Sequence, residues 1–199
     1  MRVKSEARRQ AIIDVAKEAF CQQGFENTSM SEIANRVGGS KATLYNYFSS
    51  KEEIFTAVMD SAAAEHFVVG FDILHENKDI ETVLTELGIH YLKAILSPDI
   101  LAIRNMAYSE ADRSDIGRHF YEKGPKRGWQ LISQYLQKQQ TQHVLHPCNS
   151  EIAAMHLKAL FEAEIVEPYA LRAVTDVSDP QLEQMVTRAV RVFLCAYQI

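Results

Sequence analysis

Between Pro180 and Tyr197, the residues Leu182, Met185, Val186, Ala189, Val190, Phe193, Leu194 and Tyr197 stand at i, i+3, i+4, i+7, i+8, i+11, i+12 and i+15. That spacing gathers these apolar side chains on one face of an α-helix and cannot be laid along a strand. The same recurrence runs through the rest of the chain, with no alternating strand pattern, internal repeat or low-complexity tract, so the fold is expected to be all-α. Breaks at Gly24, Gly38-Gly39, Ser49-Ser50, Pro98, His146-Pro147 and Pro168 divide the pattern into helices over about 5–23, a short one after Ser29, 41–47, 51–74, 80–96, 99–109, 114–123, 125–142, 151–174 (interrupted or kinked near Pro168) and 180–197. HENKD, at 75–79, reads as a loop.

Two of these helices constrain function. Ser29 and Glu32 form a capping-box pattern ahead of Met30, Ile33, Ala34 and Val37. Gly38-Gly39 makes a tight turn, and Ser40 can cap a third short helix with the sequence KATLYNYF. Two short helices joined by a glycine turn are the minimum for a helix-turn-helix. Leu44 and Phe48, four apart, can face inward and leave Lys41, Ala42, Thr43, Asn46 and Tyr47 outward. Lys, Tyr and Asn suit phosphate contacts, Lys or Asn can read a purine edge, and an Ala or Thr methyl can lie on a thymine methyl.

Charge distribution is compatible with this. The chain has a formal net charge of −5, but residues 1–51 hold 8 Lys and Arg against 5 Asp and Glu, while the remainder holds 13 against 21. A basic head on an acidic body steers the head toward a phosphate backbone, although a surplus of three is also within ordinary scatter.

The segment RRQAIIDVAKEAFCQQGFENTSMSEIANRVGGSKATLYNYFSSKEEIF resembles the N-terminal domain of the TetR family of repressors. The matching residues are Ala16, Phe20, Gly24, Phe25, Thr28, Ile33, Ala34, Gly38, Ser40, Thr43, Leu44, Tyr45, Phe48, Lys51 and Glu52. The resemblance implies an N-terminal three-helix helix-turn-helix DNA-binding domain over 1–50 and a C-terminal helical ligand-binding and dimerisation domain over 51–199. It implies that Thr28 and Ser29 meet the DNA backbone at the start of the second helix. Ser40, Lys41, Ala42 and Thr43 would sit at the groove end of the recognition helix. Tyr45, Asn46 and Tyr47 would hold or stack near phosphates, and Lys51 would contact the backbone. Two roles stay open: Ser29 as a cap alone, and Tyr45 as partly a core residue. The family usually carries an apolar residue where this chain has Gly39, so a larger residue there is expected to stabilise the turn unless a positive φ is needed.

The stretch IRNMAYSEADRSDIGRHFYEKGPKRGWQLISQYL resembles the C-terminal domain of AcrR- and AefR-like members. That implies an internal cavity for a small-molecule effector whose binding lowers affinity for the DNA operator. Tyr91, Met106, Tyr108, Phe120, Trp129, His156, Phe161 and Glu162 are the candidates to line it, with plain core packing as the alternative for most. Glu162 and Glu164 lie in an apolar-flanked helix, where a buried carboxylate could take a cation or could simply be solvated. The resemblance also implies that the last two helices form a four-helix homodimer bundle, and two recognition helices related by a twofold axis read a palindrome.

Other classes find little support. Seven histidines and three cysteines show no HExxH, nucleophile elbow, P-loop, dinucleotide motif or zinc spacing, so neither an enzyme nor a cofactor or metal is expected. The charged MRVKSEARRQ start is unlike a signal peptide, and no apolar run reaches the length of about 20 residues that spans a bilayer. The expectation is a cytoplasmic regulator with no membrane partner: a homodimeric repressor released from its operator by a small apolar or aromatic molecule. The alternative is a DNA-bound protein that recruits a partner or activates.

Overall fold

The computed structural model describes residues 5–75 and 78–199, without side chains for 65–70. Arg2 and Lys4 of the basic head, the side chain of His66, and Glu76 and Asn77 of the expected loop lie outside the described residues. The helices are α1 (Glu6–Gln23), α2 (Met30–Val37), α3 (Lys41–Tyr45), α4 (Lys51–Asp72) with a 3-10 turn at Ile73–His75, α5 (Ile80–Ile95), α6 (Pro98–Ser109), α7 (Ile116–Lys123), α8 (Pro125–Thr141), α9 (Ser150–Glu162), α10 (Val166–Ala170) and α11 (Asp179–Tyr197). No strand occurs among the described residues; the nearest thing to one is an isolated antiparallel bridge between Leu145 and Gln198.

The chain forms two compact units. The first takes in residues 5–65 and 102–124, and the second 66–101 and 125–199. The unit holding α1–α3 therefore extends past residue 50, because the first part of α4 and the 102–124 segment pack into it. Its core is aromatic at the centre: Phe20, Phe25 and Phe55 meet pairwise with ring centroids 5.4, 5.7 and 5.5 Å apart. Ile12, Ala16, Ile33, Leu44, Phe48, Ile54 and Val58 close around them, all buried.

In the second unit, α5, α8, α9 and α11 enclose one core of Val83, Leu84, Leu92, Leu136, Leu157, Phe161, Val186 and Phe193. The helix expected over 151–174 is interrupted. It ends at Glu162 and resumes as α10 at Val166. Pro168 explains the position of the break: in an unbroken helix its ring would strike the carbonyl of Glu164, four residues back. Placed instead in the first turn of α10, its missing N–H costs nothing.

Gly88 permits close approach within this core. A Cβ there would lie 2.6 Å from both a Phe161 ring carbon and a Val186 methyl. Gly88→Ala is expected to lower stability by about 1–3 kcal/mol through overpacking, read as a reduced urea midpoint; an unchanged midpoint would mean that α9 and α11 yield freely.

Candidate nucleic-acid interface

The helix-turn-helix assembles from local hydrogen bonds. The Ser29 side chain accepts from the Glu32 amide at 3.1 Å and caps α2. Gly38, at φ 72° and ψ 47°, ends it in the left-handed conformation, which glycine adopts without a Cβ penalty. The Gly39 amide then donates back to the Ala34 carbonyl at 3.0 Å. Ser40 caps α3 by accepting from the Thr43 amide at 3.1 Å, and its hydroxyl lies 2.9 Å from that of Thr43.

Leu44 and Phe48 are buried as expected, at 2% and 1% exposure. Lys41, Ala42, Tyr45 and Asn46 are exposed beside Ser40 and Ser29, while Thr43 and Tyr47 are half-buried. The Lys41 ammonium lies 5.9 Å from the centroid of the Tyr45 ring. The exposed set offers a cation, an amide, a phenol and a methyl group over barely more than one turn, which is what a groove-reading helix presents.

Two residues do not stand as the sequence suggests. Thr28 is 1% exposed, and its hydroxyl donates to the Gly24 carbonyl at 2.8 Å. The side chain is thus committed to the α1–α2 loop and not turned toward a phosphate. Lys51 donates to the Phe25 carbonyl at 2.7 Å and the Glu26 carbonyl at 3.4 Å, with its ammonium 4.1 Å from the centroid of the Phe25 ring. Two of its three donors serve the loop, so its first role is to hold that loop.

The candidate effector residues separate. In the second unit Tyr91 meets Trp129 edge-on at 5.1 Å and Phe161 at 6.2 Å between centroids. The Tyr91 hydroxyl donates to Glu162, whose other oxygen accepts from Lys158 at 2.6 Å. Met106, Tyr108 and Phe120 belong to the first unit. Met106 is buried, Phe120 half-buried, and Tyr108 71% exposed. His156 is exposed and pairs instead with the Tyr197 hydroxyl, 2.6 Å from its Nδ1. Glu164 holds Arg188 through both oxygens, at 2.9 and 2.6 Å. A depression of about 190 Å³ in the second unit is lined by residues that include Lys93, Leu96, Tyr169, Asp176, Asp179 and Leu182, and by none of the eight candidates.

Residues 12–58 match the family described as bacterial regulatory proteins, tetR family, and residues 82–199 match the AefR-like transcriptional repressor C-terminal domain. The chain belongs to the TetR family of transcriptional regulators. Similar proteins include the HTH-type transcriptional regulator AcrR of Shigella flexneri, 31% identical over 49% of this chain and 47% of that one. The chain thus spans about half the length of the curated relatives it first matches. A putative TetR-family regulator from Mesorhizobium loti superposes with a TM-score of 0.88 at 27% identity over 100% of both chains. The flavonoid-responsive regulator FrrA gives 0.80 at 26% identity over 98% of both. TetR-family members are DNA-binding regulators and not enzymes.

Beneath this TetR-type head lies a group that sequence reasoning missed. Glu110, just beyond α6, is 3% exposed, and its Oε2 has no hydrogen-bond partner among the described residues. Burial first, and then the neighbouring Glu26 carboxyl, hold it above the ordinary carboxylate range, against the pull of Arg113 and Lys51. Within SEADRSD nothing marks one acid as the buried one, and its partner loop lies far back in the chain.

The sign of the linkage follows. A carboxyl whose pKa is raised in the folded state keeps its proton there after the unfolded chain has lost it. Stability therefore falls as pH climbs above the ordinary glutamate value of 4.5. Glu110→Gln is expected to raise the melting temperature more at about pH 8 than at about pH 5; thermal unfolding at both values checks it, and an equal change at both would show that Glu110 ionises freely.

Proposed function

We propose that this protein is a homodimeric repressor that holds a palindromic operator and releases it on binding a small apolar or aromatic molecule. The observation that carries the reading is the exposed face of α3, where Lys41, Ala42, Tyr45 and Asn46 stand out from a helix anchored by Leu44 and Phe48. Ser40 and Thr43 pair their hydroxyls, which leaves the Thr43 methyl as its recognition surface.

Dimerisation is supported by apolar side chains left in solvent on α9 and α11. Ile152 and Met155 are 52% and 41% exposed and Val192 51%. Ile152 and Met155 lie opposite the α9 stripe of Ala153, Ala154, Leu157 and Phe161 that enters the core, and Val192 lies on the flank of the α11 stripe of Val186, Ala189, Val190 and Phe193. Covering such a face with a second copy gives a four-helix interface. The effector reading rests on the rings of Tyr91, Trp129 and Phe161 around the Glu162 carboxylate, and on the likeness to a regulator named as flavonoid-responsive. Hydroxylated aromatic compounds are the first class to test. To release the operator, the effector must favour the non-binding conformation; a hundredfold preference corresponds to about 2.7 kcal/mol.

Selection of genomic fragments by the purified protein, followed by footprinting at defined salt, tests the whole reading. A protected palindrome, lost on addition of an effector, supports it; no enrichment over random fragments overturns it. Within the enriched site, Thr43→Ala is expected to change the ranking of operator variants, with about 1–3 kcal/mol lost at one base pair. Asn46→Ala should instead weaken all DNA alike. Indistinguishable profiles would refute that division. For the dimer, Val192→Glu combined with Met155→Glu is expected to give a folded monomer by analytical ultracentrifugation that no longer protects the palindrome. A dimer that persists would place the interface elsewhere.

A further inference from the structure

Gly38 and Gly39 differ in what they require. Gly38 has φ 72°, whereas Gly39 lies outside the left-handed region, so its backbone would accept any residue. What a side chain at 39 would meet is the guanidinium of Arg8: a Cβ would stand 2.9 Å from Arg8 Nη2. That same nitrogen donates to the Gly38 carbonyl at 3.2 Å. The glycine at 39 therefore leaves the space that Arg8 fills.

Charge favours the arrangement. Arg8 lies in the first turn of α1, where a cation opposes the helix dipole. Its side chain reaches instead to the C-terminal end of α2, where carbonyls face outward and a cation is favourable. Two neighbours tie the same end of α1 to the far side of α3. The Ser5 amide donates to the Tyr47 hydroxyl at 3.3 Å, and the Arg9 guanidinium lies 5.1 Å from the centroid of the Phe48 ring. The first turn of α1 thus grips the recognition helix before its start and after its end.

We propose that Arg8 is a positioning residue for DNA recognition. Its guanidinium takes the place of the absent side chain at 39, clamps the Gly38 carbonyl and fixes the angle at which α3 leaves the turn. The proposal rests on the DNA-binding reading above only for its affinity readout. An arginine serves here because its planar fork can fill a side-chain-sized space and donate at once; a lysine ammonium cannot.

The test compares Arg8→Ala, Arg8→Lys, Gly39→Ala, Gly39→Val and the double variant Arg8→Ala/Gly39→Val in the full chain. The first readout is amide hydrogen exchange at Gly39, Thr43 and Leu44, with the α1 amides of Ala16 and Ala19 as internal reference. Arg8→Ala and Gly39→Val are each expected to speed exchange at the turn by about tenfold and leave the reference amides unchanged. Arg8→Lys should resemble Arg8→Ala, and Gly39→Ala should move the same amides to a lesser degree. The double variant should recover toward wild type, since valine enters the space the arginine has left.

The second readout is the ratio of affinities for a selected operator fragment and for random DNA, which Arg8→Ala should lower by about tenfold. Unchanged exchange, with equal loss on both DNAs and a salt slope smaller by about one, would make Arg8 a phosphate contact and overturn the proposal. So would strictly additive effects of the two substitutions, because groups that share one space cannot be independent. If no fragment is enriched at all, the regulator reading fails, and the exchange rates still decide whether the clamp exists.

Discussion

A helix of five residues cannot hold itself. α3, from Lys41 to Tyr45, is far shorter than the length of about 12–15 residues at which an isolated helix becomes even marginal in water. Its position, and with it any reading of DNA, is supplied by its surroundings. Leu44 and Phe48 anchor it from within, Ser40 caps it, and Gly38 sets the turn that precedes it. The first turn of α1 adds a polar grip through Ser5 and Arg8. The face that carries Lys41, Ala42, Tyr45 and Asn46 is left to solvent, while Leu44, Phe48 and the Tyr47 hydroxyl do the anchoring.

The loop between α1 and α2 is held by the same logic. Thr28 and Lys51 point into it, one bonding the Gly24 carbonyl and the other those of Phe25 and Glu26. A loop of this kind carries carbonyls with no helix partner, and burying them unsatisfied is costly. The two polar residues most readily assigned to phosphate by type are spent on that requirement. Glu110 is the counterweight, a carboxyl buried beside Glu26 whose ionisation the fold opposes. Its cost lies in the unit that carries recognition, where rigidity and strain bear on function.

Much of the architecture was legible because it is periodic and local. The α11 stripe, the caps at Ser29 and Ser40 and the inward pair Leu44 and Phe48 each follow from a spacing of three or four residues, and each stands where that spacing puts it. What is not local is harder to read. Pro168 marks an interruption or a kink, and because its clash acts four residues upstream the break falls at 163–165. Thr28 and Lys51 can bond phosphate, and only tertiary structure shows the Thr28 hydroxyl and two of the three Lys51 donors engaged with the α1–α2 loop. The partnership of Arg8 with Gly39 spans most of α1, the loop after it and α2, and no sequence rule joins an arginine to a glycine. For the effector candidates, residue type alone grouped Met106, Tyr108 and Phe120 with Tyr91 and Trp129, although the chain places them in different units.

The Tyr91–Glu162–Lys158 group also constrains what an effector could gain there. Both carboxylate oxygens of Glu162 are taken, one by the Tyr91 hydroxyl and the other by Lys158. Each oxygen can still accept a second bond, but a carboxylate already shared between a phenol and an ammonium is a weaker acceptor, so a ligand donor gains little there. Discrimination at this site would come chiefly from the rings of Tyr91, Trp129 and Phe161, whose stacking and burial reward flat apolar surface at about 25 cal/mol per Å². The carboxylate then acts through orientation and through refusal: an anionic ligand would meet Glu162, and an aliphatic one would forgo the ring contacts. That ordering, shape first and polarity second, favours a class of related aromatic compounds over a single tightly specified one.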